Sequence, residues 1–183
     1  IRFGTGNDLE IYHDSGHSHI INGTGNLNIK NHPNSHAINL LHENDIMLQA
    51  NADGSVDLYH SGNKKFETAS GGVALTGGAA ANITALSDGA TITIDMATAC
   101  HHSVTLGGNR TFAAPSNQAV GQAGSIFITQ DGSGSRTAAF NSAFKFVGGT
   151  APTLTTTASA TDRIDYIIKS SNVIHCAVSL DVK

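Results

Sequence analysis

The stretch Leu9-Glu10-Ile11-Tyr12-His13-Asp14-Ser15-Gly16 recurs, one residue shorter, as Val56-Asp57-Leu58-Tyr59-His60-Ser61-Gly62. Each copy alternates apolar and polar side chains, stops in turn-forming residues, and is followed by one more apolar residue, Ile20 or Phe66. Period-two alternation halted by Asp, Ser or Gly is the pattern of a half-buried strand entering a tight turn. Shorter runs of the same kind, Leu27-Asn28-Ile29, Ile38-Asn39-Leu40, Ile46-Met47-Leu48 and Val73-Ala74-Leu75, fill the rest of residues 1–76 between glycine-containing breaks. A series of β-hairpins or a winding β-solenoid is the form expected of this region.

Each of these units holds only two or three large apolar residues. That is too few for one chain to close a core, so neighbours must cover them, and identical chains around an axis are an economical cover. The composition changes at Gly71-Gly72 and again at Gly77-Gly78-Ala79-Ala80-Ala81, which marks 77–82 as a linker. Beyond it, runs such as Thr91 to Met96, Ser103 to Leu106, Ser125 to Gln130, Arg163 to Lys169 and Val173 to Leu180 predict an antiparallel β-sandwich over 83–183. Gly107-Gly108-Asn109, Asp131 to Ser135 and Ser170-Ser171-Asn172 read as its hairpin loops. No stretch carries an apolar stripe at helical spacing with a cap and a stop, so the fold class is all-β.

Composition narrows the function. Lys and Arg number 10 against 14 Asp and Glu, a net charge of -4 that offers no electrostatic footprint for nucleic acid or an anionic membrane. Only 13% of residues are charged, so the surface is neutral and polar, as suits a particle exterior. No apolar run reaches the roughly 20 residues that span a bilayer. The amino end has neither an initiating Met nor a signal-peptide pattern, which reads as the middle of a longer protein. Cys100 and Cys176 are too few for a disulfide scaffold and read as buried thiols.

Asn7-Asp8-Leu9-Glu10-Ile11-Tyr12-His13-Asp14, Gly23-Thr24-Gly25-Asn26-Leu27, and Gly62-Asn63-Lys64-Lys65-Phe66-Glu67-Thr68 with Gly72-Val73 and Leu75-Thr76-Gly77 resemble repeats in tail fibre and other virion proteins of marine bacteriophages, cyanophages among them. Val104 to Phe112, Gly124 to Thr137 and Gly148 to Leu154 resemble a carboxy-terminal module of phage tail proteins. The resemblance implies a virion part assembled in the host cytoplasm, a homotrimer joined to other tail or virion proteins, and recognition of a host-surface glycan or protein by the distal domain. A head fibre or capsid decoration without receptor role, and a glycan-cleaving tailspike, are the alternatives. No reaction and no required cofactor are implied.

Ten histidines are many for this length, and seven fall early: His13, His17, His19, His32, His36, His42 and His60. His17 and His19 share a strand face, so three chains would bring six imidazoles to an axis, a set suited to an octahedral transition metal. Solvated or turn-lining histidines are the plainer alternative. Cys100-His101-His102 and His175-Cys176 contain zinc-type ligands in no zinc-site spacing. Asp162 with Asp165, or Asp53 with Asp57, are the carboxylate pairs a glycosidase would need, and neither stands out from ordinary strand and turn residues. For glycan recognition the expected loop residues are Asn109, Arg110, Asn117, Gln118, Asp131, Arg136 and Asn172, each of which is also a normal turn residue.

Overall fold

The computed structural model describes residues 1–4, 6, 8–31 and 36–183; Asn7 of the quoted repeat and His32 lie outside the described residues. The protein is all-β, and its one helical segment among these residues is a short 3-10 turn at Val147–Gly149. It divides between Ala79 and Ala80, inside the Gly/Ala stretch, into two compact units.

The first unit is made of antiparallel meanders. Strands β1 (Arg2–Phe3), β2 (Leu9–His13) and β3 (Ser18–Asn22) form one sheet. Strands β4 (Ile38–His42), β5 (Asp45–Ala50), β6 (Val56–His60), β7 (Asn63–Ala69) and β8 (Gly72–Leu75) form a second, each pairing with the next. Both copies of the repeated stretch are first strands of hairpins. Ile11 pairs with Ile20 and Leu58 with Phe66, the apolar residue that follows each turn. Ser61 and Gly62 both take positive φ, 50° and 72°, the primed turn whose twist matches two antiparallel strands. Hairpins, not solenoid coils, are therefore the form of the described strands of the first unit.

The second unit corrects the expected strand pairing. Strands β9 (Ile83–Ala85), β11 (His101–Leu106) and β13 (Ala123–Gln130) lie parallel in one sheet, while β10 (Thr91–Ile92), β12 (Arg110–Phe112) and β14 (Ala138–Phe140) lie parallel in another. The chain thus alternates between two sheets and advances one strand per coil, as a solenoid does. Gly107-Gly108-Asn109 and Asp131 to Ser135 are corners between sheets, not hairpin loops. Strands β16 (Thr161–Ser170) and β17 (Val173–Ser179) form the true hairpin, through Ser171 and Asn172. The hairpin sits between β13 and β15 (Phe144–Lys145) in a mixed six-stranded sheet, so the layers are sandwich-like but not antiparallel throughout.

Alternation supplies the core. Val104 and Leu106, Ile126 and Ile128, Ile164 and Ile168, and Ile174 point inward from the six-stranded sheet and meet Ile92, Ile94, Met96 and Phe112. Phe112 stacks on Phe140 at a centroid distance of 5.0 Å, and Phe144 and Phe146 pack edge-on against Phe140. Full burial of each such side chain contributes roughly 1.5–3 kcal/mol. Gly124 is required by close approach: a Cβ there would stand 1.6 Å from the Cys100 carbonyl oxygen. That oxygen accepts from the Tyr166 hydroxyl (2.8 Å) and the Ser125 N–H (3.2 Å), pinning the hairpin to the link before β11.

The first unit has nothing comparable. Among its described residues only Asp57 is buried, while Leu40, Leu58, Val73 and Leu75 are 55%, 41%, 61% and 53% exposed.

Candidate functional site

The loop residues expected to meet a ligand fall into two groups. At the corner between the sheets, the Arg110 guanidinium donates to both oxygens of Asp88, at 2.6 and 2.7 Å, and the Gly107 N–H donates to the same carboxylate. Arg136 makes a forked pair with Asp131 Oδ2, while Asp131 Oδ1 accepts from the Ser133 and Gly134 N–H groups. Asn109 Oδ1 accepts from the Thr137 N–H and joins successive coils. Arginine beside Asp88 and beside Asp131 holds both carboxyl groups below the usual carboxylate range. These corner groups are fixed by fork geometry and remain partly exposed, which orients polar groups without further ordering.

Asn117, Gln118 and Asn172 meet elsewhere. Gln118 Nε2 donates to Asn172 Oδ1 (3.1 Å) and the Asn172 N–H donates to Gln118 Oε1 (2.8 Å). Asn117 donates to Asp95 Oδ1. Asn117 and Asn172 have φ of 51° and 56°, so turn geometry accounts for both. The seven residues therefore do not form one cluster; Asp131 and Arg136 tie up their own corner, while the others tie one segment to another.

His19 Nε2 lies 2.8 Å from Asp14 Oδ2, and its ring stacks on Tyr12. Asp14 Oδ1 accepts the Gly16 and His17 N–H groups, so one carboxylate shapes the turn and orients the imidazole. These bonds, led by the Gly16 N–H, keep the Asp14 carboxyl low. The His17 and His19 rings meet edge to face with centroids 6.3 Å apart. Sequence reasoning missed Asp14 and Asp88 as the partners that position His19 and Arg110; Asp14 stood in the quoted repeat as a turn residue alone, and only folding brings Asp88 to Arg110.

Among the described residues no group of three or more His, Cys, Asp or Glu is placed to hold a metal ion. Both cysteines are free thiols, and burial pushes the Cys176 thiol up to about 11. Asp162 and Asp165 point to opposite faces of β16, so they are no carboxylate pair: Asp162 is buried and accepts the Thr155 and Asp181 N–H groups, while Asp165 faces out. On that outer face His101, Ser125 and Asp165 share one row across three strands. The Ser125 hydroxyl donates to Asp165 at 2.6 Å, which is the wrong partner for a nucleophile that needs an imidazole to take its proton. Asp53 occupies a positive-φ turn, and Asp57 is buried on the polar face of its sheet beside Lys64.

No family model, no curated protein and no solved structure matches the chain.

Proposed function

We propose that the chain is a structural and binding module of a phage fibre, in which three copies associate through the first unit and the second presents its corner loops to a host-surface glycan without cleaving it. One observation carries this reading. The first unit leaves its apolar side chains uncovered and the second closes a core of its own, the division expected of an assembling segment joined to an autonomous binding domain. The resemblance of both halves to phage virion proteins points the same way.

The Arg110–Asp88 and Arg136–Asp131 pairs are the binding groups this reading favours, since sugar hydroxyls are recognised by fixed donors and acceptors. On a glycan array, Arg110→Ala and Arg136→Ala are expected to weaken binding at least tenfold while thermal melting still shows a folded second unit. Purified host polysaccharide is expected to bind and to yield no new reducing ends. New reducing ends would replace this reading with a glycan-cleaving tailspike. That all seven candidate loop residues hold internal hydrogen bonds favours a second reading, a head fibre or capsid decoration without receptor contact, and absence of any glycan binding would select it.

A further inference from the structure

The register of the five-stranded sheet aligns its apolar residues into rows. Leu40, Leu48, Leu58, Phe66 and Leu75 are successive cross-strand partners, one from each strand. Direct partners point to the same face, and residues two apart along a strand share it. Ile38, Ala50, Val56, Thr68 and Val73 therefore make a second row on that face, closed by the hydrogen bond from the Val56 N–H to Thr68 Oγ1. Neither row contains a charge.

Two bulges enforce the separation. The register shift between Leu58 and Tyr59 sends Lys64 and Tyr59 to the face of Asp57, where Lys64 pairs with Asp57 and Glu67 and the Tyr59 hydroxyl donates to Gln49. The shift between Leu40 and Leu41 likewise sends Leu41, paired with Ile46, to that opposite face. Asp57, Lys64 and Glu67 thus lie on one side, paired with one another, while the two rows on the other side are apolar except for the Thr68 hydroxyl; beyond those rows, at the hairpin ends, alternation returns His42 with Asp45 and His60 with Asn63 to that side.

We infer that this face is a seam between copies of this chain, apolar row against apolar row; the inference rests on the proposed association of copies and names the surface that makes it. The occupant follows from what the face requires. Strands about 4.8 Å apart and five residues long at about 3.4 Å each give a flat footprint of about 400 Å², with more accessible surface on the standing side chains, a patch of the size that marks an interaction site. A sheet that is apolar on one face buries that face against another element, and another copy is the cover present in fixed proportion whenever the chain is made. A polar or charged partner would bury unpaired groups against the two rows, whereas the same rows of another copy bring none. Around a three-fold axis the face of each copy turns inward and meets those of both neighbours.

Adjacent residues of nearly equal exposure test this. Leu40 is 55% and Leu41 49% exposed, yet they point to opposite faces. In sedimentation of the full chain, Leu40→Asp is expected to weaken association at least a hundredfold, and Leu41→Asp to leave it unchanged within threefold. Should either variant fold poorly, a benzoylphenylalanine photo-crosslinker at position 58 is expected to join two chains, and one at position 41 none. An oligomer that survives Leu40→Asp, or crosslinks equally from position 41, overturns the seam but keeps the association. A wild-type chain that stays single at all concentrations overturns both.

Discussion

His102 is the least hydrated ionisable side chain of the second unit. It is fully buried, points inward with Val104 and Leu106, pairs in register with Thr84 and Ile126, and neither ring nitrogen has a hydrogen-bond partner. Burial lowers its pKa below the ordinary 6.5; the His101 side chain adds to this, and the Ala99 carbonyl and Asp95 carboxylate oppose it. Thr84 and Ile126, its partners on the flanking strands, bring no titratable group. Since the folded pKa is depressed, the unfolded chain takes up a proton first as pH falls through about 6.5. Stability is thus complete above that value and declines below it, by at most about 1.4 kcal/mol per pH unit for one proton. Urea midpoints between pH 7 and pH 5 are expected to fall for the wild type and to be flatter for His102→Leu. Asp88 and Asp131, lowered from 3.8 by their arginines, act in a separate window: their contribution is present above that value and is lost as pH falls below it. Of the residues nominated from sequence, Asn117 and Asn172 were legible as turn residues because Asn, Gly and Ser are turn-formers, whereas Arg110, expected in a loop, opens β12. Their partners were not legible, since Asp88 reaches Arg110 only through the coiling of the chain.

At the scale of elements, the tightest point of the second unit's packing is where β13 and β16 pair, Gly124 opposite Tyr166, beside the Cys100 carbonyl. Gly124→Ala places a Cβ inside that oxygen's contact distance, so β13 must shift from its ladder, and a loss of at least about 2 kcal/mol is expected in chemical denaturation. Tyr166→Phe removes one of two donors to the same carbonyl and is expected to cost about 1–2 kcal/mol, less than Gly124→Ala. An equal loss for the two would mean that the hydroxyl, not the close approach, holds this contact. Elements differed in how readily they could be foreseen. The hairpins of β2 with β3 and of β6 with β7 were visible because pairing is local and the repeat supplies both partners, Ile11 with Ile20 and Leu58 with Phe66. The parallel coils were not. Inward alternation along β11 and β13 is the same in a sandwich and in a solenoid, and Gly107-Gly108-Asn109 turns a corner with the residues that would also close a hairpin. The pairing of His101 with both Ile83 and Ser125, like that of β12 with both β10 and β14, distinguishes the two, and it joins strands far apart in the chain.

The whole molecule joins two units held together by different means. The second has its own core of interleaved Ile, Val, Leu and Phe side chains, whereas the first is a pair of meanders whose apolar rows find no cover among its described residues. The proposed association would link the stability of the first unit to chain concentration, the sheet β4 to β8 above all. Hydrogen exchange of the full chain, followed across a dilution series that ends where sedimentation finds single chains, tests this most directly. The account predicts that amides of β4 to β8 lose protection on dilution while those of β11, β13, β16 and β17 keep it. Equal protection of β4 to β8 in the single chain would contradict it.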